Sequence, residues 1–222
     1  MFNKVSVVSD RALRKQQQTR DHLAQAAIGL FDQNGYAATT MDQISTAADV
    51  ARGTLYNHFA DKDAIVAYWV DTQLAQGIPQ LLHHVMTLSS FEERVTGVFE
   101  ASAQWWQGHW VYIAPYLRHR FQQVQSNDAA SGSDMLAVYE RLIADAQDAQ
   151  EIIATTPAPQ LARYLHFLYL GAVMHALGNA GVSLSHELKQ AAAFFLAGCR
   201  APSAIPTHAD QPARRHPSKT KA

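Results

Sequence analysis

The stretch from Asn34 to Lys62, NGYAATTMDQISTAADVARGTLYNHFADK, constrains this chain more than any other. It reads as two short helices joined by a tight turn. Thr40 suits a helix cap ahead of Met41, Asp42, Gln43 and Ile44, because its hydroxyl can accept one of the backbone N–H groups left unpaired at a helix start. From Arg52 to Phe59, apolar Leu55 and Phe59 recur at helical spacing, and Arg, Thr, Tyr, Asn and His occupy the remaining face. One side of such a helix docks and the other is free to read DNA.

Ile44, Ala47, Ala48, Val50, Leu55 and Phe59 form the apolar set that would pack two helices at a steep angle, as in a helix-turn-helix. Ala47 and Ala48 are small where the helices approach. Upstream, Leu23, Ala26, Ala27, Leu30 and Phe31 repeat at i, i+3, i+4, i+7 and i+8, so a first helix over 19–33 closes a mini-core against the pair. Asn34-Gly35 then ends it, with glycine just past the helix.

With LFDQNGYAATTM at the end of the first helix, Ile44, Ala47 and Ala48 on the second, GTLYNHF on the third and Lys62 opening a fourth, Thr19 to Trp69 resembles the N-terminal domain of the tetracycline-repressor (TetR) family of bacterial transcriptional regulators. The resemblance implies an all-α protein. A three-helix DNA-binding domain over 19–63 would be followed by a helical effector-binding and dimerisation domain over 64–200. Two positions depart from the family pattern. Asp49 stands at the turn where glycine is usual, and Ala51 where serine usually caps the recognition helix. Aspartate tolerates a left-handed backbone better than most residues, so the turn is expected to survive with modest strain. The missing cap is expected to cost about 0.5–2 kcal/mol of local stability.

At 222 residues the chain has room for a second core. A net charge of −1 looks wrong for a DNA binder until its distribution is read. Residues 1–20 hold Lys4, Arg11, Arg14, Lys15 and Arg20 against Asp10, and 200–222 hold Arg200, Arg214, Arg215, Lys219 and Lys221 against Asp210, so each end is +4 and the stretch between is −9. Residues 1–18 are read as a basic flexible arm that either follows the DNA backbone or is simply solvated. Residues 201–222, rich in proline, threonine, histidine and basic groups, are expected to be disordered. No apolar run approaches a bilayer span, and Met1 to Val8 is too short and polar for a signal peptide, so a cytoplasmic protein with no membrane partner is expected. Cys199, the single cysteine, fits a reducing compartment and inert packing.

Helices are expected over 64–77, ended or kinked by Gly77 or Pro79, and over 80–88, 91–107, 109–125, 134–153, 158–179 and 184–199. Alanine is abundant and no period-two alternation is sustained, so strands are not expected. In the last two helices, Leu161, Leu165, Leu168 and Ala172, then Leu184, Leu188, Ala191 and Phe195, form apolar stripes. Either they are monomer core or, as the family resemblance implies, they build a four-helix homodimer interface. A dimer would bring two reading helices to one pseudo-palindromic operator on double-stranded DNA.

The resemblance places Thr40, Arg52, Gly53, Thr54, Tyr56, Asn57, His58 and Lys62 near DNA. Arg52 has the guanidinium that pairs with guanine in the major groove, Thr54 suits a thymine methyl and Asn57 an adenine edge. Tyr56, His58 and Lys62 suit phosphates, Thr40 could cap and contact one, and Gly53 permits close backbone approach.

Between Gln104 and Phe121 the segment QWWQGHWVYIAPYLRHRF gathers Trp105, Trp106, His109, Trp110, Tyr112, Tyr116 and Phe121. Aromatic groups with polar tips suit a cavity for a small apolar or aromatic effector, although ordinary helix packing uses the same residues. Family architecture adds Met135, Tyr139, Phe167, Met174 and His175 as further walls. Adjacent His83 and His84 diverge on a helix and no HxxxH or Cys/His cluster is present, so neither a metal nor a cofactor is expected. No nucleophile–base pair or phosphate-cradling loop argues for an enzyme. The reading is a homodimeric regulator, a repressor released by its ligand. The alternative is an architectural or partitioning protein of the same fold with no effector.

Overall fold

The structure, a computed structural model, describes residues 4–125 and 134–200. Among the described residues there are nine helices: α1 (Lys4–Asn34), α2 (Met41–Ala47), α3 (Arg52–His58), α4 (Lys62–Val85), α5 (Phe91–Gly108), α6 (Trp110–Gln125), α7 (Asp134–Asp148), α8 (Ala158–Gly178) and α9 (Leu184–Cys199). The chain is all-α, and its one extended pairing among these residues is an isolated bridge between Ile152 and Arg200. The tail over 201–222 lies outside the described residues, as does the loop from Ser126 to Ser133.

Local chemistry explains most helix ends. Thr40 accepts from the Gln43 backbone N–H at 3.2 Å while the Gln43 side chain accepts from the Thr40 N–H at 2.8 Å, a reciprocal box that satisfies two otherwise unpaired donors. Ser90 and Glu93 repeat this device at α5, and Asp61 caps α4 through the Ala64 N–H. Gly35, at φ +86°, turns the chain out of α1 in the left-handed conformation that glycine adopts without strain.

Three expectations change here. The basic arm, expected as a flexible lead-in, is helix from Lys4 onward, continuous with the first helix expected to begin at Thr19. Arg20 shows why the helix is anchored at that junction, because its guanidinium carbon lies 4.4 Å from the Tyr68 ring and 4.9 Å from the Phe59 ring. The expected helices over 64–77 and 80–88 are one, α4, running through Pro79. Proline removes a single hydrogen bond to Ala75, and both residues are solvent-exposed, so water can satisfy the freed carbonyl. The third is α7, which stops at Asp148, where Gln150 takes a positive φ of 58° and the Ile153 N–H turns to the Cys199 carbonyl at 2.9 Å.

Helices α1–α3 form the head, in which Leu23, Ala27, Phe31, Ile44, Ala48, Leu55 and Phe59 are all buried. Ala47, expected in this set, is exposed, and Ala48 alone fills the close approach. Helix α4 packs on α1 at its start and on α5, α6 and α7 further along, so it physically joins head and body. In the body, α8 packs between α7 and α9, and α5 lies against α9. Cys199 is buried at the end of α9, and burial pushes its thiol up.

Candidate nucleic-acid interface and effector cavity

The turn between α2 and α3 is made by Asp49 at φ +52°, in the left-handed region. Its neighbour Val50 donates to the Ser45 carbonyl at 3.0 Å, and His22 on α1 bonds the Ala48 carbonyl at 3.0 Å, so the turn is held from both sides. Ala51 occupies the cap position of α3 without a side-chain hydrogen bond. With Leu55 and Phe59 facing inward, α3 presents Arg52, Gly53, Tyr56 and Asn57 to solvent and keeps Thr54 partly covered. Space around Gly53 is open, which leaves its backbone approachable.

Arg52 reaches back to Asp42 on α2 at 3.1 Å and lies 5.4 Å from the Tyr56 ring. Both members of this ion pair are well exposed, at 65% and 61%, so water competes with it and little holds the guanidinium away from a nucleic acid. The pair still gives the arginine a defined direction on the exposed face of α3.

Three of the eight expected DNA contacts, Lys62, His58 and Thr40, are engaged or partly enclosed in the free chain. The Lys62 ammonium donates to the carbonyls of Tyr36 and Thr39, each at 2.7 Å, and more weakly to Ala37 at 3.4 Å, while lying 4.6 Å from the Tyr36 ring. An ammonium has three protons, and these carbonyls take them. Lys62 therefore ties the start of α4 to the turn after α1, in place of the free phosphate contact expected of it. His58 is half-buried, and its Nδ1 is enclosed with no partner. Thr40 spends its hydroxyl on the α2 cap and stays exposed.

In the body, α4, α5, α6, α7 and α8 enclose a cavity of about 570 Å³. Of the twelve expected lining residues, Trp105, Trp106, Tyr116, Phe121, Met135 and Phe167 border it. The other six do not. Tyr139 is fully packed against Phe99 and His166. Tyr112 turns to the head, donating to Asp32 at 2.8 Å, and burial followed by that carboxylate pushes its phenol well up. His109 stacks on Trp105 with ring centres 4.3 Å apart. Trp110, Met174 and His175 are exposed, and His175 pairs with Glu187 at 3.0 Å. On a helix whose every side meets something, aromatic content alone does not tell a cavity wall from a core or an interface.

Sequence reasoning missed the polar members of the wall. Tyr169 receives a bond from the Trp106 indole N–H at 2.9 Å and shares one with Ser102 at 2.6 Å. Arg120 pairs with Asp71 of α4 at 2.6 Å and lies over the Tyr116 ring. Burial, then Asp71, pushes the Tyr116 phenol up to about 12. Two turns nearer the head on α4, Arg118 of α6 grips Asp63 through Nε at 2.8 Å and Nη2 at 2.9 Å, and Tyr36 also donates to Asp63. Burial raises the Asp63 carboxyl, but the bonds from Arg118 and Tyr36 outweigh it and hold the group below the ordinary aspartate value. The signal in the sequence was the spacing of Asp63 and Asp71, two helical turns apart on one face of α4, opposite arginines in LRHRF.

The stripes expected at a dimer interface are also relocated. Leu161, Leu165, Ala172, Leu184, Leu188 and Phe195 are buried within the single chain, and Leu168 and Ala191 partly so. The large apolar groups that α8 and α9 leave exposed are Tyr164, Phe167, Met174 and Phe194.

Among the described residues no His, Cys, Asp and Glu group is arranged to hold a metal ion, and no helix is long and apolar enough to cross a membrane. A family model described as bacterial regulatory proteins, tetR family, matches residues 23–68. The HTH-type transcriptional regulator AcrR of Shigella flexneri is 46% identical over 46 residues, which are 21% of this chain and 21% of that protein. The chain thus matches only about a fifth of that relative's length. Thermus thermophilus FadR, a TetR-family transcriptional repressor solved with lauroyl-CoA, superposes with a TM-score of 0.71 at 20% identity, covering 87% of this chain and 99% of that one. A complex of SmeT with triclosan gives a TM-score of 0.57 at 20% identity, covering 89% and 100%. At these identities the structural likeness establishes the shared fold. Over residues 23–68 the chain thus carries a segment of the bacterial tetR-family type, and as a whole it shares the fold of TetR-family regulators.

Proposed function

We propose that the chain is a homodimeric, sequence-specific repressor that a small apolar or aromatic molecule, bound in the body cavity, releases from a pseudo-palindromic operator. The observation that carries this reading is the physical continuity of α4, which begins beside the reading head and ends as a wall of the cavity. Ligand-bound relatives of this fold, with lauroyl-CoA or triclosan, support an effector for this cavity as well. For release, the ligand must bind more tightly to the state that spaces the two heads wrongly for DNA, since equal affinity for both states shifts nothing.

Base readout falls to Arg52, with Asn57 and Thr54 beside it, and Tyr56 suits a phosphate. The dimer forms through α8 and α9, which leave Tyr164, Phe167, Met174 and Phe194 exposed, large apolar groups of the kind that mark an interaction surface. A protein with this role works in the cytoplasm, where its DNA is.

The test is selection of bound fragments from a random DNA library by the purified chain, repeated with Arg52→Ala. A pseudo-palindromic site whose affinity drops about ten- to a hundredfold in the variant is the expected result. Sequence-blind, salt-sensitive binding that ignores the substitution would instead favour an architectural role.

A further inference from the structure

The polar groups in the cavity wall differ in what they have left to offer. Ser102, Trp106 and Tyr169 are bonded to one another. His166 is pushed below the ordinary imidazole range, first by burial and then by Arg120, so it is neutral at pH 7, and its Nδ1 is enclosed without a partner. Arg120 is then the one formal charge in the wall among the described residues, and no carboxylate lines the cavity. Its counter-charge, Asp71, lies outside the lining on α4 and is the more exposed partner, at 40% against 21% for Arg120.

This asymmetry selects among head groups. A cation entering an apolar space whose single charge is an arginine meets repulsion and no compensating anion. A carboxylate meets a guanidinium whose planar fork can donate to two oxygens at once, Nη2 now held by Asp71 at 2.6 Å and Nη1 by Gln123 at 3.4 Å, while Nε stays on the Tyr116 hydroxyl at 3.2 Å. Asp71, released from Arg120 in the exchange, keeps the bond it accepts from the Tyr116 hydroxyl at 3.4 Å and is already 40% exposed to water, so losing the arginine costs it little. A neutral alcohol of the same length gains the same burial but none of the charge-assisted bonding.

Resting on the effector reading above, we propose that the cavity takes an amphipathic monocarboxylate whose apolar body fills the 570 Å³ space and whose carboxylate exchanges with Asp71 on the Arg120 guanidinium. The exchange also opens a direct ion pair between α4 and α6, leaving the Arg118–Asp63 pair as the remaining arginine–aspartate tie described between these helices. That change gives the ligand a different interaction energy in the two states, which any release mechanism needs.

The experiment is calorimetric titration of the full chain at pH 8 with decanoate, 1-decanol and decyltrimethylammonium, checked by tryptophan fluorescence because Trp105 and Trp106 line the cavity. Decanoate is expected to bind about tenfold more tightly than decanol, and the ammonium most weakly. Arg120→Gln should erase the carboxylate preference while leaving decanol binding, Arg120→Lys should restore part of it, and Asp71→Asn should tighten decanoate by removing its competitor. Decanol binding that the variant retains also shows that Arg120→Gln is folded. Equal affinity for decanoate and decanol, or a preference that survives Arg120→Gln, overturns the carboxylate assignment and leaves an effector cavity of another kind. Failure of all three probes to bind overturns both this assignment and the apolar-effector reading beneath it.

Discussion

The head and the body are both helical, yet their sequences encode structure by different means. In the head, two seven-residue helices cannot stand alone, and most constraints are local: a capping box at Thr40, a left-handed turn at Asp49 and a glycine stop at Gly35, with a small buried set closed by α1 and a few longer ties such as His22 to the Ala48 carbonyl. In the body, long helices have apolar residues on several sides, and which side meets a core, a cavity or a partner depends on neighbours far away in sequence. The head therefore has one apolar face per helix to identify, and the body has two or three.

Substitutions can break this contrast in order of expected size. Phe59→Ala should be the most severe, removing a buried aromatic from the head and costing about 3–5 kcal/mol in denaturant unfolding. A cost under 1 kcal/mol would mean the head is not the closed mini-core described. Phe194→Asp changes a side chain that is 72% exposed in the single chain, so the stability of an isolated chain should move by no more than about 0.5 kcal/mol. Sedimentation should instead show dimers giving way to monomers, and an unaltered dimer would place the interface elsewhere.

Smaller effects sharpen the local side of the comparison. Ala51→Ser should add about 0.5–2 kcal/mol by supplying the missing α3 cap, read as a higher melting temperature with DNA binding retained. No gain would argue that the turn geometry at Asp49 and Val50 already fixes the helix start. The weakest effect concerns Asp63, whose carboxyl is held below the ordinary aspartate value in the folded chain. Its contribution is present above an unfolded pKa of about 3.9 and is lost as pH falls through the folded value. Acid unfolding of Asp63→Asn should accordingly show a shallower loss of stability below about pH 4 than the unsubstituted chain. Identical acid profiles would remove Asp63 as a significant tie between α4 and α6.

The exposed face of α3 was legible because the helical period separates Leu55 and Phe59 from Arg52, Tyr56 and Asn57 on so short a helix. Lys62 was not, since its position beside YNHF suits a phosphate contact equally well, and only the fold shows three carbonyls gathered around its ammonium. Of the expected residues that border the cavity, Trp105, Trp106, Tyr116 and Phe121 came from the aromatic segment, and Met135 and Phe167 from family architecture. Arg120, His166 and Tyr169 escaped because polar residues on a long helix carry no mark of facing inward, and nothing in the sequence marked Gln73, Leu74, Ile78 and Leu81 of α4 as wall rather than core. Leu161, Leu165, Leu184 and Leu188 were apolar at the right spacing for either reading, and the chain used them for its own core.

By itself, the sequence determined the helical class, the two-helix reading unit with its caps and turn, and the missing cap at Ala51, because each rests on hydrogen bonds or periodicities a few residues long. Tertiary structure decided which apolar stripe is buried, which is exposed, where the cavity lies and how Asp63 and Asp71 meet Arg118 and Arg120. Those outcomes depend on packing between helices distant in the chain, and an individual helix sequence is compatible with several such packings.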